Sequence, residues 1–165
     1  MQFNPVNIGS AINTKDDEYW PSITADGQTL MFTRQVNSVN NSSSFEQAQE
    51  DFYLSYFSDN SWQKAINAGA PLNTRQNEGA QTLSSNGNYM YFTACDRPGG
   101  LGSCDIYFSA LNDGKWSEPS NLRSPVNTSF WESQPSISAD GKTLFFSSNR
   151  PGGFGGKDLW YSKIN

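Results

Sequence analysis

The feature of this 165-residue sequence that most restricts its fold is a segment that occurs three times. The copies read INTKDDEYWPSITADGQTLMFT from Ile12, LNTRQNEGAQTLSSNGNYMYFT from Leu72 and VNTSFWESQPSISADGKTLFFS from Val126, and they align without a gap. Equivalent positions are therefore 60 residues apart (12 to 72) and then 54 residues apart (72 to 126). Self-similarity at such a spacing is typical of repeat architectures, in which each unit is one small structural element.

Each repeat predicts four short antiparallel strands. The first, as in Pro135–Ser138, leads into an Asp-Gly or Asn-Gly turn, which favours a two-residue hairpin. The second is an apolar run such as Thr143–Ser147, the third is the alternating segment from Asp158, and the fourth begins at Trp62 or Trp116. Four antiparallel strands in each unit describe the blade of a β-propeller, so we predict an all-β fold.

Charge and hydropathy exclude two classes of partner. The chain has 11 Lys and Arg against 16 Asp and Glu, a formal charge of -5, and it has no basic cluster that could neutralise phosphates. No apolar run approaches the roughly 20 residues that a membrane-spanning helix needs. The N-terminal MQFNPVNIGS also lacks the charged and apolar blocks of a secretory signal. We therefore expect no nucleic-acid partner, no membrane-spanning segment and no signal peptide in this chain.

The units SADGKTLFFSSNRPGGFGGKDLWYS and GKWSEPSNLRSPVNT resemble the WD40-like, TolB-type propeller repeat. More narrowly, they resemble the propeller region of Gram-negative OmpA-family, peptidoglycan-associated envelope proteins. The resemblance covers nearly the whole chain and implies a periplasmic location associated with the outer membrane. It also implies a scaffold or binding role there. Propellers of this family have more blades, and neither their helical repeats nor their OmpA-like domain occurs in this sequence.

We interpret the chain as a single propeller module of three four-stranded blades that is part of a larger, six-bladed ring. The blade repeats cover about 12–66, 72–120 and 126–163, and residues 2–11 match a fourth strand that completes another blade. Propellers usually have 4–8 blades, so three blades need a complement. A homodimer, in which each copy lends its first strand to the other's last blade, would give six. The alternative is a piece of a longer chain.

The residue types restrict the possible chemistry. Histidine is absent, so a Ser-His-Asp or Cys-His nucleophile is excluded. Two carboxylates, a glutamate and an aspartate, recur in each of the three blades, and residues that are repeated in every unit are expected to build the blade. They are Glu18, Glu78, Glu132, Asp51, Asp105 and Asp158. We therefore expect a protein that is not an enzyme. The alternative is a glycosidase-like, carbohydrate-active propeller enzyme that uses carboxylates.

The glycine-rich stretch RPGGFGGKD, from Arg150, has the look of a phosphate-binding loop but does not match one. Pro151 stands at the first required glycine, Asp158 replaces the required hydroxyl residue, and an alternating strand follows instead of a helix. A related stretch, RPGGLGSCD from Arg97, occurs in the middle blade, so we predict a hairpin connection. We predict no cofactor and no metal site, although oxygen ligands for Ca²⁺ in the blade loops stay open.

Two cysteines flank the glycine-rich loop of the middle blade. Cys95 follows the second strand and Cys104 precedes the third, so they are expected to face each other at the mouth of a hairpin, within reach of a disulfide. With the envelope resemblance we favour a disulfide, which indicates an oxidising compartment. Two reduced thiols are the alternative.

Positions that differ between the repeats are the candidates for binding a protein partner, or a glycan such as peptidoglycan. The first blade carries an insertion, VNSVNNSSSFEQAQE from Val36 to Glu50, where the other two have compact glycine-rich loops. A polar insertion of this kind is either a mobile loop or a contact loop. Aromatic and basic residues specific to one blade complete the candidate set: Trp20, Phe45, Arg75, Phe130 and Trp131.

Overall fold

The computed structural model describes residues 1–38 and 47–164 and places them in three successive antiparallel sheets. The first sheet begins with the inner strand β1 and ends with two short outer strands. Its strands are β1 (Asp17–Ile23), β2 (Thr29–Ser38), β3 (Gln47–Ser58), β4 (Ser61–Trp62) and β5 (Ile66–Asn67). β1, β2 and β3 are neighbours in that order, and both β4 and β5 pair with β3. The predicted fourth strand is thus two short pieces.

The second sheet repeats this arrangement with the same order of strands. It contains β6 (Glu78–Leu83), β7 (Tyr89–Cys95), β8 (Cys104–Asn112), β9 (Lys115–Trp116) and β10 (Ser120–Asn121). β6, β7 and β8 are neighbours, and β9 and β10 both pair with β8. The second blade is therefore a structural copy of the first, as the sequence repeat predicts.

The third sheet has three strands within the described residues: β11 (Glu132–Ile137), β12 (Thr143–Ser148) and β13 (Asp158–Lys163). All three sheets are antiparallel, so the prediction of an all-β fold built from propeller blades is confirmed. Residues 2–11, expected to form a fourth-type strand, make no strand within this chain, and most of them are exposed.

The inner strands begin earlier than the sequence suggests. β11 starts at Glu132 rather than Pro135, because a two-residue bulge interrupts its alternation between Ser133 and Ser136. The same bulge occurs in β1 and in β6. Its first residue has a left-handed backbone in each blade, with φ of 50° at Trp20, 50° at Ala80 and 56° at Gln134. Bulges bend a strand and turn one side chain away from its pleat.

Apolar side chains between neighbouring blades form the core. Phe52 of β3 is fully buried against the second blade, where it meets the edge of the Phe92 ring with centroids 5.1 Å apart. Ile106 of β8 is equally buried, in a cluster with Leu144 and Phe146 of the third blade. Each blade thus covers the outer strands of the one before it, and burial of these side chains is the main stabilising contribution.

The glycine-rich loops are connections between strands, held by the aspartates that recur in the repeats. Asp105 accepts hydrogen bonds from the backbone of Leu101 at 2.6 Å, and Asp158 accepts them from Phe154 at 3.1 Å. A Cβ on Gly153 would lie 2.0 Å from the Asp158 carboxylate, so the loop needs a glycine at that position. We infer that these aspartates and glycines fix the shape of the loop rather than bind phosphate.

In the first blade, β2 and β3 continue into the predicted insertion as a longer hairpin. The ladder runs through Gln35–Glu50 and Val36–Gln49 to Ser38–Gln47. The flanks of the insertion are therefore ordered sheet. Phe45 lies outside the described residues.

Cys95 and Cys104 are joined by a disulfide, as predicted. They are directly opposite each other at the last pair of the β7–β8 ladder. A disulfide is compatible with an extracytoplasmic location, where oxidising conditions preserve it. Across the ranges that the structure describes, no helix is long and apolar enough to cross a membrane.

Candidate ligand-binding face

A threonine and a glutamate clamp the loop that precedes the inner strand of every blade. The glutamate accepts hydrogen bonds from both the backbone N–H and the hydroxyl of a threonine four residues earlier. The pairs are Thr14–Glu18, Thr74–Glu78 and Thr128–Glu132. In the third blade these two bonds are 2.8 Å and 2.6 Å long. Each threonine hydroxyl also accepts a hydrogen bond from the N–H two residues later, at 3.1 Å in all three blades.

Two of the three glutamates are inaccessible to a ligand. Glu78 and Glu132 have no exposed surface, while the Glu18 side chain is 11% exposed and pairs with Arg34 at 2.8 Å. Burial raises the pKa of Glu78, and the hydrogen bonds from Thr74 only partly offset that rise. Since a buried carboxylate cannot touch a substrate, we infer that Glu78 and Glu132 build their loops.

The residues between threonine and glutamate are different in each blade, although Lys15 and Arg75 are both basic. They are Lys15-Asp16-Asp17 in the first, Arg75-Gln76-Asn77 in the second and Ser129-Phe130-Trp131 in the third. We call residues 15–17, 75–77 and 129–131 together the loop face. A constant frame thus holds an acidic, a basic and polar, and an aromatic triplet in equivalent positions. Variation on a fixed frame is typical of binding loops.

The aromatic triplet is anchored to the glycine-rich loops on both sides. The Lys157 ammonium lies 3.7 Å from the centre of the Trp131 ring, close enough for a cation–π contact. The backbone of Trp131 also forms an isolated parallel β-bridge with Cys104, which is one of the two cysteines of the disulfide. Phe130 is 40% exposed, and its carbonyl would lie 1.7 Å from a Cβ on Gly102. The backbone of the second blade therefore approaches this triplet closely and fixes its position.

The second triplet lines a polar cavity of about 390 Å³ beside the long hairpin of the first blade. Arg75, Gln76 and Asn77 form one wall, and Gln49 and Asp96 belong to the rest. The Gln49 amide donates to the Gln76 carbonyl at 2.5 Å, and the Asn77 side chain accepts from the backbone N–H of Glu50 at 3.1 Å. The hairpin is therefore tied to the loop face.

The first triplet lies beside a tyrosine and a second carboxylate. Asp17 pairs with Gln35, and Gln35 pairs with Glu50, so the three share one row across β1, β2 and β3. The Tyr19 hydroxyl donates to Glu50. The pKa of Tyr19 is raised, first by burial and then by Glu50 and Asp17, so the hydroxyl stays protonated and remains a donor.

Trp20 lies apart from the triplets, on the inner surface. It is 40% exposed and lines a cavity of about 180 Å³ together with the other bulge residues. These are Pro21, Ala80, Gln81, Gln134 and Pro135. The buried Gln81 amide donates to the Trp20 carbonyl at 2.7 Å and accepts from Thr33 at 3.0 Å. The bulges of all three inner strands thus converge on one inner cavity.

The hairpin turns at the opposite ends of the blades are nearly identical in sequence, and two cavities of about 330 Å³ and 410 Å³ lie beside them. We call the hairpin turns at 25–27, 85–87 and 139–141 the turn face. In each turn one side chain accepts a hydrogen bond from a hydroxyl two residues earlier in the chain. The accepting residues are Asp26, Asn86 and Asp140. These hydrogen bonds, from Thr24 and Ser138, lower the pKa values of Asp26 and Asp140. Of these two sets of loops, the loop face differs more in sequence between the blades.

The predicted binding residues do not form one cluster. Phe130, Trp131 and Arg75 belong to the loop face, Trp20 lines the inner cavity, and Phe45 lies outside the described residues. Sequence reasoning missed Asp17 and Glu50 as neighbours, because the β1–β2–β3 register that places them in one row is visible only in the structure. No group of three or more Asp, Glu or Cys side chains is arranged to hold a metal within residues 1–38 and 47–164.

Comparison with known proteins supports the fold. No family model matches the chain, and no curated protein matches it. A puromycin-hydrolyzing peptidase from Mycobacterium tuberculosis has a similar structure, with a TM-score of 0.62 and 10% identity, over 90% of this chain and 22% of the peptidase. At that identity the likeness shows the fold alone. The chain therefore belongs to the propeller-type all-β class and spans about a fifth of the peptidase's length.

Two further solved structures are more distantly similar. A Hadza microbial sialidase has a TM-score of 0.46 and 18% identity, over 79% of this chain and 32% of the sialidase. A prolyl endopeptidase has a TM-score of 0.36 and 14% identity, over 81% of this chain and 24% of the endopeptidase. Neither score is high enough to support a conclusion about function.

The prediction that the chain is not an enzyme is wrong. It rested on the absence of histidine and on the blade-building role of the repeated carboxylates. The peptidase, whose solved structure has a similar fold, is a hydrolytic enzyme, so this fold does not exclude an enzyme. Missing histidine excludes only histidine-dependent nucleophiles, and it leaves carboxylate chemistry open. The narrower resemblance to TolB-type and OmpA-family propellers has no support from the comparisons.

Proposed function

We propose that this chain is a propeller module of a carbohydrate-active hydrolase and that its loop face binds the glycan substrate. The observation that carries the proposal is the constant threonine–glutamate frame, which holds three chemically different triplets in equivalent positions. The fixed frame presents three different sets of side chains at equivalent surface positions, where they are available to a ligand. The similar fold of one hydrolase, the peptidase, supports the enzymatic assignment.

The chemistry of the loop face suits a sugar chain. Phe130 and Trp131 offer aromatic surface on which the apolar face of a sugar ring can stack. Gln76, Asn77 and the exposed Arg75 offer amide and guanidinium groups to hydroxyls around the polar cavity. An extended ligand that crosses from the third blade to the first would meet aromatic, polar and acidic groups in turn.

Asp17 and Glu50 are the carboxylates that we assign to the chemistry. They lie two strands apart in one row on the same face of the sheet, so both side chains can reach one ligand. The roles that we assign to them are those of the paired acid and base carboxyl groups of glycosidases. The Tyr19 hydroxyl, held protonated, positions Glu50 by donating a hydrogen bond to it.

The periplasmic, outer-membrane-associated location and the TolB-type, OmpA-family relationship belong to the same proposal. They are supported by the sequence resemblance described above and by the Cys95–Cys104 disulfide, which suits an oxidising compartment. In that location peptidoglycan would be the glycan within reach. The loop-face assignment does not depend on this location.

Equilibrium binding of a soluble peptidoglycan fragment tests the assignment of the loop face. We expect Phe130→Ala to weaken binding about tenfold, or ~1.4 kcal/mol, because an exposed aromatic contact is removed. Tyr89→Ala is the matched control, since Tyr89 is 46% exposed but follows the hairpin turn at the opposite end of its blade. Equal effects of the two substitutions, or binding of peptides but not of glycans, would contradict the proposal.

Hydrolysis of the same fragment tests the carboxylate assignment separately. Glu50→Gln should abolish the release of new reducing ends while leaving the glycan affinity within about twofold, because removing one acid or base group costs about 10²–10⁴ in rate. Glu118→Gln is the control on an exposed glutamate outside the loop face. Unchanged hydrolysis by Glu50→Gln would refute the chemical role of this residue and leave the binding role standing.

A further inference from the structure

The joint between the first and second blades has a polar and an apolar part. Asn73 accepts a hydrogen bond from the Phe52 N–H at 2.9 Å and donates to the Phe52 carbonyl at 3.0 Å. Asn67 donates to the Asp51 carboxylate at 2.8 Å and accepts from Asn73 at 2.9 Å. Phe52 itself is fully buried, in one cluster with Leu72 of the second repeat. Two asparagines therefore clamp one strand of the preceding blade.

The joint between the second and third blades repeats these contacts. Asn127 accepts from the Ile106 N–H at 2.8 Å and donates to its carbonyl at 2.7 Å. Asn121 donates to Asp105 at 3.1 Å and accepts from Asn127 at 2.9 Å. Ile106 is fully buried. The same joint is thus built twice from equivalent residues.

The third blade carries one half of a third joint of this kind, and that half is exposed to solvent. Leu159 of β13 corresponds to Phe52 and Ile106, yet it is 85% exposed. Tyr161, which corresponds to Leu54, is 66% exposed. β13 has β12 as its only strand neighbour within the described residues. This edge presents an unpaired backbone and apolar side chains that the other blades bury.

The complementary half exists on the first blade, and its asparagines are already arranged. Asn7 and Asn13 correspond to Asn67 and Asn73, and the Asn13 amide donates to Asn7 at 3.2 Å. The Gly9 N–H donates to Asn7 at 2.9 Å, as the Gly69 N–H does to Asn67 at 2.8 Å. The loop therefore has the conformation that clamps a strand in the other two joints.

An apolar cleft lies beside these asparagines. It has a volume of about 250 Å³ and is lined by Ile8, Ile12, Leu30 and Phe32, with Asn13 at its edge. Ile12, Leu30 and Phe32 correspond to Val126, Leu144 and Phe146, which bury Ile106 in the second joint. The cleft is the equivalent of the site that receives Ile106, without the isoleucine.

We propose that β13 of one copy docks into this cleft on a second copy, so that two chains close one ring of six blades. Leu159 fills the cleft, Asn13 of the other copy clamps the Leu159 backbone, and Asn7 donates to Asp158. By the registers of β5 and β10, Val6 lies opposite Tyr161. Six blades lie within the usual range for propellers, and a two-fold axis makes the two joints identical. The ring would carry six triplets on its loop face.

Within the described residues, the first blade does not close onto the third. The contacts between blades in the described residues join the first to the second and the second to the third, and β1 makes none with β11. An unpaired, apolar strand edge is a known template for pairing with another chain. A second copy is the occupant to which we commit, because it carries every donor, acceptor and apolar group that the other two joints use.

Sedimentation of the 165-residue protein tests the proposal. We expect a species of twice the 18.3 kDa chain mass and a shift to the single-chain mass in Leu159→Asp. Leu159 is exposed within the single chain, so Leu159→Asp should not unfold the chain, and its urea unfolding should remain cooperative. Leu101→Asp, at another exposed leucine, should keep the double mass. A wild-type monomer at every concentration, larger polymers, or a Leu159→Asp variant of unchanged mass would overturn the proposal.

A disulfide trap tests the register. The double variant Val6→Cys, Tyr161→Cys should form covalent dimers under oxidising conditions, because these positions are opposite each other in the proposed joint. The pair Val6→Cys, Tyr89→Cys should not, since Tyr89 lies next to a hairpin turn of the middle blade. Equal yields of covalent dimer from the two pairs would refute the register.

Discussion

The guanidinium carbon of Arg34 lies 4.1 Å from the centre of the Tyr53 ring. The other blades have the same stack, with Arg97 over Tyr107 at 5.2 Å and Arg150 over Trp160 at 5.2 Å. Arg97 and Arg150 come from the glycine-rich loops, whereas Arg34 comes from β2. Where the long hairpin replaces the loop, an arginine from a different position takes over the same stacking role.

Replacing Arg34 with alanine should destabilise the protein by about 3 kcal/mol, the usual cost of removing one partner of a buried ion pair. Arg34 is buried, pairs with Glu18 at 2.8 Å and donates to the Ile12 carbonyl at 2.7 Å. Urea unfolding measures the change. Lys64→Ala, at an exposed lysine, is the control and should cost less than about 0.5 kcal/mol. Equal losses of unfolding free energy in the two variants would show that the contacts of Arg34 contribute little to stability.

Removing the disulfide should lower the free energy of unfolding by about 2.5 kcal/mol, because the unfolded chain regains the freedom of a short loop. The variant Cys95→Ser, Cys104→Ser is compared with the wild-type protein in urea, with and without reductant. Reductant should lower the unfolding midpoint of the wild-type protein and leave the variant unchanged. A wild-type midpoint insensitive to complete reduction would contradict this expectation.

Glu78 should make stability fall as the pH rises from acid toward neutral. Burial raises its pKa in the folded protein, so the folded state holds the proton more tightly than the unfolded state. Its contribution is fully present below the ordinary pKa of a glutamate, and it is lost as the pH rises through the raised value. Glu78→Gln removes this part of the pH dependence, which chemical unfolding at a series of pH values measures.

The exposed Glu118 provides the comparison for that experiment. Glu118→Gln should leave the slope of stability against pH unchanged. Asp26 and Asp140 act in the opposite direction, because their lowered pKa values make stability fall as the pH drops through those values. A slope that is the same in wild type and Glu78→Gln would contradict the assignment to Glu78.

Gly102→Ala should destabilise the protein by about 1–3 kcal/mol and disturb the aromatic triplet, since overpacking forces the backbone to move. An added Cβ would lie 1.7 Å from the Phe130 carbonyl oxygen. Gly156→Ala in the related loop of the third blade is the matched control, because no atom lies within 4 Å of its added Cβ. Urea unfolding measures the loss of stability, and hydrogen–deuterium exchange at residues 129–131 measures the disturbance of the triplet. Equal behaviour of the two variants would contradict the close approach.

The repeat explains how much of the fold is predictable from the sequence. Turn glycines such as Gly27 and Gly141 have left-handed backbones that few other residues adopt, so they mark the hairpins. Cys95 and Cys104 flank one hairpin connection and are opposite each other in its ladder. These features depend on local chemistry, and the sequence predicts them well.

Other features depend on contacts between strands that are distant in the sequence. The inner-strand bulges place Trp20, Ala80 and Gln134 in a left-handed backbone, which none of these residue types signals. The row of Asp17 and Glu50 depends on the register of three strands. The candidate site therefore needs the structure, although the triplets that surround it can be found by aligning the repeats.

Hydrogen–deuterium exchange with and without a peptidoglycan fragment tests the central claim most directly. If the loop face binds the glycan, backbone exchange should slow at residues 15–17, 75–77 and 129–131. The turn face, at 25–27, 85–87 and 139–141, should exchange at an unchanged rate. Protection confined to the turn face, or no protection at saturating glycan, would contradict the account.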